Sequence, residues 1–158
     1  MTDERWLAHA LDLAVSNVAE GGGPFGAVIV RDGTLLSTGQ NRVTRDNDPT
    51  AHAEVVAIRA ACQALDSFSL DGCVLYASCE PCPLCLTASL WARLDRVVYA
   101  ADRHAAARGG FDDRAFYELL EQDRDTWPMA VTAQDAGTPD ASWAPFEVWL
   151  AHTARTHY

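Results

Sequence analysis

His52-Ala53-Glu54 and Pro81-Cys82-Pro83-Leu84-Cys85 are the two segments of this chain whose side chains could do chemistry together. One imidazole and two thiolates form a zinc donor set, and three protein ligands leave the fourth tetrahedral position open for water, as in a catalytic rather than a closed structural site. Cys82 and Cys85 are three residues apart, which puts them on one helical face. A helix N-terminus there would favour their thiolate forms. Glu54 would close the site if it were a fourth ligand. Outside the coordination shell its carboxylate can serve as the acid–base group, taking a proton from the activated water.

The remaining candidates weigh less. Five cysteines, at 62, 73, 79, 82 and 85, make an odd count with three of them inside seven residues, unlike a disulfide framework. In a reducing compartment such a cluster reads as metal-binding or catalytic. Cys79 precedes Pro81 and reads as a structural neighbour of the site, and Cys62 and Cys73 read as core thiols. His9, His104, His152 and His157 have no motif around them and are assigned no metal. The tryptophans, Trp91 among them, could line a base-stacking pocket, although aromatics at helical positions more often pack the core.

These groups need elements to position them. Leu7, Ala10, Leu11, Ala14, Val15 and Val18 repeat at helical spacing, predicting a helix from Glu4 to Glu20 that ends at Gly21-Gly22-Gly23. Phe25–Arg31 and Thr34–Gln40 read as strands joined by Asp32-Gly33, a favoured hairpin turn. A loop over 41–50 leads to a buried helix over Ala51–Leu65, whose start carries His52 and Glu54. A strand over Cys73–Ser78 precedes a helix that Pro81 opens and Cys82–Ala92 continues, followed by a strand over Arg96–Ala101. Beyond Gly109-Gly110 the reading gives a helix at Asp113–Gln122, a strand at Met129–Gln134, a polar connector over 135–145 and a last helix at Phe146–Arg155. The order α-β-β-α-β-α-β-α-β-α predicts a single three-layer α/β/α domain over 1–158 with a mixed five-stranded sheet.

Composition limits the partners. The chain has 158 residues, 49% hydrophobic and 22% charged, within the range of one self-sufficient core. No apolar run is long enough to span a bilayer and the N-terminus lacks a secretory pattern, so a cytoplasmic protein is expected. A formal net charge of −10, from 22 acidic against 12 basic side chains, disfavours a polynucleotide and suits a small, weakly charged substrate.

The sequence resembles the cytidine deaminase superfamily, and within it the short bacterial guanine deaminases. The likeness runs through Gly22-Gly23-Pro24-Phe25-Gly26-Ala27, Asn47-Asp48-Pro49-Thr50-Ala51-His52-Ala53-Glu54, Ser78-Cys79-Glu80-Pro81-Cys82, Trp91-Ala92-Arg93 and Gly110-Phe111-Asp112-Asp113. Pro145-Phe146, Trp149 and the terminal Tyr158 extend it to the end of the chain. The order His-x-Glu then Pro-Cys-x-x-Cys is the signature of zinc base deaminases. The resemblance implies one zinc ion per chain on His52, Cys82 and Cys85, and conversion of guanine to xanthine and ammonia with Glu54 as proton shuttle. It further implies that Phe25 stacks on the base, that Asn41 and the backbone of Ala53 hold it, and that Asp113 touches its edge and helps relay a proton. Trp91 and Tyr158 join the substrate contacts on the same ground. The C-terminal segment, about 145–158, would cross to a second subunit in a swapped homodimer.

One stretch departs from the pattern. Between Gln134 and Ala144 there is no glutamate, where some members carry an acidic substrate contact, so Asp135 or Asp140 is the candidate substitute. Deamination of cytosine, cytidine or a triazine such as ammeline is the alternative within the same chemistry. A tRNA adenosine deaminase shares the 48–54 run but meets the charge argument. From a different class, a structural zinc or non-catalytic binding module would have no need of Glu54.

Overall fold

Asp32 and Gly33 both take positive φ, 49° and 72°, the geometry a tight two-residue hairpin requires. They join β1 (Gly26–Arg31) to β2 (Thr34–Gln40) in antiparallel register, Ala27 opposite Gly39. The computed structural model describes residues 2–134, 137–138 and 140–158. In chain order the remaining elements are α1 (Asp3–Ala19) before the hairpin, then α2 (Val43–Asp46), α3 (Ala53–Leu65), β3 (Cys73–Cys79), α4 (Pro83–Trp91), β4 (Arg96–Ala101), α5 (Arg103–Arg108), α6 (Arg114–Glu121) and α7 (Ala144–Ala151).

Two compact units form, one up to Glu118 and one from Leu119 to Tyr158. In the first, the sheet order is β2-β1-β3-β4, with β1 antiparallel to both neighbours and β3 parallel to β4. Strand alternation sorts its two faces. Val28, Val30 and Tyr76 pack with Trp6 of α1, while Ala27, Ile29 and Leu75 pack with Ala53, Ala57 and Ala61 of α3. The layered α/β/α arrangement and the mixed sheet are therefore present, but with four strands among the described residues rather than five. Met129–Gln134 forms no strand, and the described residues of its own unit include no other strand to satisfy its backbone groups. No described helix is long and apolar enough to cross a membrane.

Several boundaries differ for local reasons. The buried stripe of α1 is Trp6, Ala10, Ala14 and Asn17, whereas Leu11, Val15 and Val18 of the expected stripe are exposed. Gly26 explains the rotation: a Cβ there would stand 2.4 Å from the Ala10 carbonyl oxygen, so α1 lies directly on β1 at its small residues. The expected loop over 41–50 contains α2, and α5 was not anticipated. α4 begins at Pro83 rather than Pro81, because Cys82 precedes a proline and is held extended, φ −67° and ψ 171°. In the second unit α7 stops at Ala151, and Arg155 donates to the carbonyls of Leu150 and His152, which satisfies the helix end. The expected connector over 135–145 includes Asp135, Ala136 and Pro139, which lie outside the described residues.

A three-residue bridge ties α1 to the sheet at β3 and β4. Asp3 accepts from the Tyr76 hydroxyl at 2.7 Å and from Arg96 at 2.8 Å, and these bonds, Tyr76 first, hold its carboxyl below the usual range. A carboxylate depressed in the folded state contributes stability above its unfolded value, and that contribution is lost as pH falls through the folded value. Asp3→Asn is accordingly expected to lower stability at neutral pH and to flatten its decline into acid, read from urea titrations at a series of pH values. Parallel pH curves for the two proteins would contradict this role.

Candidate active site

Two helix starts converge to build the site. His52 is the N-cap of α3 and Cys82 the N-cap of α4, both with extended backbone that turns the residue out of its helix. Cys85 follows in the first turn of α4, wholly buried, and packs with Val55 and Cys82. His52 Nδ1 lies 3.5 Å from Cys82 Sγ and 3.4 Å from Cys85 Sγ, and the two sulfurs are 3.7 Å apart. A zinc tetrahedron with bonds of about 2.3 Å to sulfur and about 2.0 Å to nitrogen has sulfur–sulfur edges of about 3.75 Å and sulfur–nitrogen edges of about 3.5 Å. The donor set therefore fits zinc in both chemistry and size. It is also the one such cluster of metal-ligating groups found among the described residues. The Cys82 thiol is brought down to about 4, first by its bond with Cys85 and then by His52, while that same bond and burial push the Cys85 thiol up, so the pair offers thiolate character at Cys82 with Cys85 as its proton donor.

Beside this triad opens a cavity of about 700 Å³, a size suited to a small organic substrate. Phe25, Asn41, His52, Glu54, Cys82 and Asp113 all line it, so six of the sequence candidates meet on one wall system. Glu54, in the first turn of α3, is only 8% exposed, and burial pushes its carboxyl up from the ordinary glutamate range. Asp113 is likewise raised, first by burial and then by the negative Cys82, and its Oδ1 is buried without a hydrogen-bond partner. Phe25 meets Phe111 edge to face at 4.9 Å. Asn41 is buried and accepts from the Val43 amide at 3.3 Å.

Other candidates sit elsewhere. Ala53 is fully buried in the core between α3 and the sheet and is not part of the cavity lining. Trp91 also lies outside the lining and is 63% exposed. It is nine residues beyond Cys82, about 13 Å along a helix. Tyr158 is exposed in the second unit. Asp135 lies outside the described residues, and Asp140 is an exposed turn residue at φ 62°.

Beside Cys79, expected from the sequence as a structural neighbour of the site, the structure adds the network of Glu80, Arg103 and Tyr117, which the sequence reading passed over. Cys79 lines the cavity, yet burial pushes its thiol up to about 11, so it stays protonated beside the triad. Glu80 takes two hydrogen bonds from the Arg103 guanidinium, at 2.6 and 3.0 Å, and one from its backbone amide at 2.9 Å. Arg103 lies over the Tyr117 ring at 3.7 Å, and the Tyr117 hydroxyl donates to the Pro81 carbonyl. This network fastens α6, next to Asp113, onto the segment that leads into Cys82. The one sequence clue was that Tyr117 is four residues after Asp113, hence on the same helical side.

Residues 1–101 match the family described as the cytidine and deoxycytidylate deaminase zinc-binding region. The chain belongs to this family of zinc-dependent aminohydrolases. Within it, the guanine deaminase of Bacillus subtilis (strain 168) is 49% identical over 150 residues, covering 92% of this chain and 96% of the relative. An X-ray structure of guanine deaminase from Bacillus subtilis superposes with a TM-score of 0.95 at 45% identity, over 100% of this chain and 99% of that one. A tRNA-specific adenosine deaminase of Aquifex aeolicus (strain VF5) is 41% identical over 101 residues, 64% of this chain and 67% of the relative.

Proposed function

We propose that the chain hydrolyses guanine to xanthine and ammonia. The observation that carries this reading is the zinc-sized His52–Cys82–Cys85 triad opening onto a cavity that also holds the buried Glu54. Similarity to guanine deaminase along nearly the whole chain, against 64% for the tRNA enzyme, favours guanine over adenosine in tRNA. The net charge of −10 favours a free base over a polynucleotide for an independent reason.

His52, Cys82 and Cys85 would hold one zinc ion, which supplies a water activated for attack at neutral pH. Glu54 accepts that water's proton on its carboxylate, delivers it to the ring nitrogen beside the amino-bearing carbon, and carries a proton on to the departing amine. Its raised carboxyl makes it a better proton acceptor than free glutamate, and a value moved by burial toward neutrality suits a group that must take up a proton and then release it. Phe25, braced by Phe111, offers a face on which a purine can stack. Asn41 and the Ala53 backbone contact the base, with Trp91 and Tyr158 as further contacts inherited from the family likeness. Asp113 holds an unpaired buried oxygen that a purine N–H can satisfy, and it joins the proton relay at the substrate edge.

The assembly we propose is a homodimer of one-domain chains in which about 145–158 crosses to the partner. Phe146, Val148 and Leu150 of α7 are exposed, an apolar surface that such a crossing would cover. Five free cysteines suit a reducing, cytoplasmic compartment. The deciding experiment is ammonia release by zinc-loaded protein across guanine, adenine, cytosine, cytidine, guanosine, adenosine and ammeline. Guanine is expected to turn over and the others to lag by at least about a hundredfold, since unpaired polar groups penalise the wrong base heavily. Preferential release from cytidine or ammeline would replace guanine with that substrate.

A further inference from the structure

Asn17 is a wholly buried polar residue on the otherwise apolar stripe of α1, and the catalytic scheme does not use it. Both protons of its carboxamide are engaged: Nδ2 donates to the Gly23 carbonyl at 2.8 Å and to the Asn41 carbonyl at 2.7 Å. Its Oδ1 accepts from Arg45 at 3.2 Å, and Arg45 also pairs with Glu20 at 2.9 Å. Its backbone carbonyl takes the Gly22 amide at 2.9 Å. The loop lies so close that a Cβ on Gly22 would stand 2.3 Å from Nδ2.

These partners share a location. Gly21 to Phe25, Asn41, Val43 and Thr44 are consecutive parts of the cavity lining, and Asn17 is the side chain that ties the loop, the Asn41 backbone and α2 together. Phe25 is fixed to the same assembly, since its carbonyl accepts from the Asn41 amide at 3.1 Å. The metal-ligating residues, by contrast, stand on α3 and α4, and Asn17 makes no hydrogen bond to either helix.

We propose that Asn17 is the positioning residue for base recognition: by holding the Asn41 carbonyl and the Gly23 carbonyl on one carboxamide, it sets where Asn41 and Phe25 meet the base. The inference rests on the reading of Asn41 and Phe25 as base contacts. Without the two donors, the Asn41 carbonyl loses its buried partner and the Gly23 carbonyl keeps only the local Phe25 amide at 2.8 Å, so the recognition wall relaxes, while the metal ligands and Glu54 keep their supports. The consequence falls on KM and leaves kcat largely alone.

The test uses full-length zinc-loaded protein with Asn17→Ala, Asn41→Ala and the double variant. Asn17→Ala is expected to raise KM for guanine about tenfold with kcat within about threefold and one zinc per chain, and the double variant to add little to Asn41→Ala alone, as for residues acting as one unit. A folded Asn17→Ala with wild-type KM, beside an Asn41→Ala whose KM rises, overturns the proposal and leaves the base-contact reading standing. Full multiplication of the two effects overturns it as well. Wild-type KM in Asn41→Ala removes the base-contact reading and this inference with it. If Asn17→Ala fails to fold, Asn17→Ser, which retains one donor, should show an intermediate KM, and a wild-type value there refutes the role.

Discussion

Glu54→Gln is expected to retain zinc and fold while turnover falls by about a thousandfold, within the range a lost general acid–base group produces. Glutamine preserves volume and polarity at a position only 8% exposed, so packing around α3 has little reason to change. What disappears is the capacity to accept and release a proton, which both halves of the reaction require. Because the raised carboxyl stems mainly from burial, a neutral amide does not add an unsatisfied charge, and thermal stability is expected to stay level or rise slightly. Zinc content by elemental analysis, melting temperature and single-turnover xanthine formation separate the possibilities. Undiminished turnover would show that another group moves the protons, with Asp113 as the nearest rival because it shares the cavity and its raised carboxyl. Loss of zinc together with turnover would instead make Glu54 a support of the metal site.

Local signals were readable and distant ones were not. The Asp32-Gly33 turn could be recognised because the φ > 0 demand of a hairpin acts on two adjacent residues. His52, Glu54, Cys82 and Cys85 could be grouped because ligand chemistry restricts residue type and spacing even across 33 positions. The rotation of α1, however, depends on how closely Gly26 lets two backbones approach, and that is invisible until sheet and helix are brought together. Asn17 escaped for the same reason: on the helix it reads as a polar interruption of an apolar stripe, and its partners lie at 23 and 41. The Glu80–Arg103–Tyr117 network joins three segments by side chains whose types are ordinary on any surface. Met129–Gln134 shows the opposite error, since the run reads as a strand but only a neighbouring strand can complete its hydrogen bonds.

Gly39→Ala is expected to disable the protein through the scaffold rather than through any reacting group. A Cβ at Gly39 would stand 2.0 Å from the Ala53 carbonyl oxygen, 2.6 Å from the Ala57 amide nitrogen and 3.0 Å from Ala57 Cβ. The first two are backbone atoms of the opening turn of α3, so no side-chain rotation relieves the clash and the helix start itself must move. Overpacking of this kind costs about 3 kcal/mol, and for a chain of this length that corresponds to a melting temperature lower by roughly 6–12 °C. The displacement falls on the turn that presents His52 and Glu54, so zinc affinity should weaken along with stability. Gly26→Ala is the matched comparison, because its Cβ would press on Ala10 and Ala14 of α1, across the sheet from the zinc ligands. It should lower stability by a similar amount yet leave zinc affinity, measured by competition with a chelator, near that of the unaltered protein. If both variants lost stability equally and both bound zinc normally, the close approach at Gly39 would matter for packing alone. A selective loss of zinc affinity in Gly39→Ala would establish that a missing side chain in β2 fixes the metal site by letting α3 settle directly on the sheet.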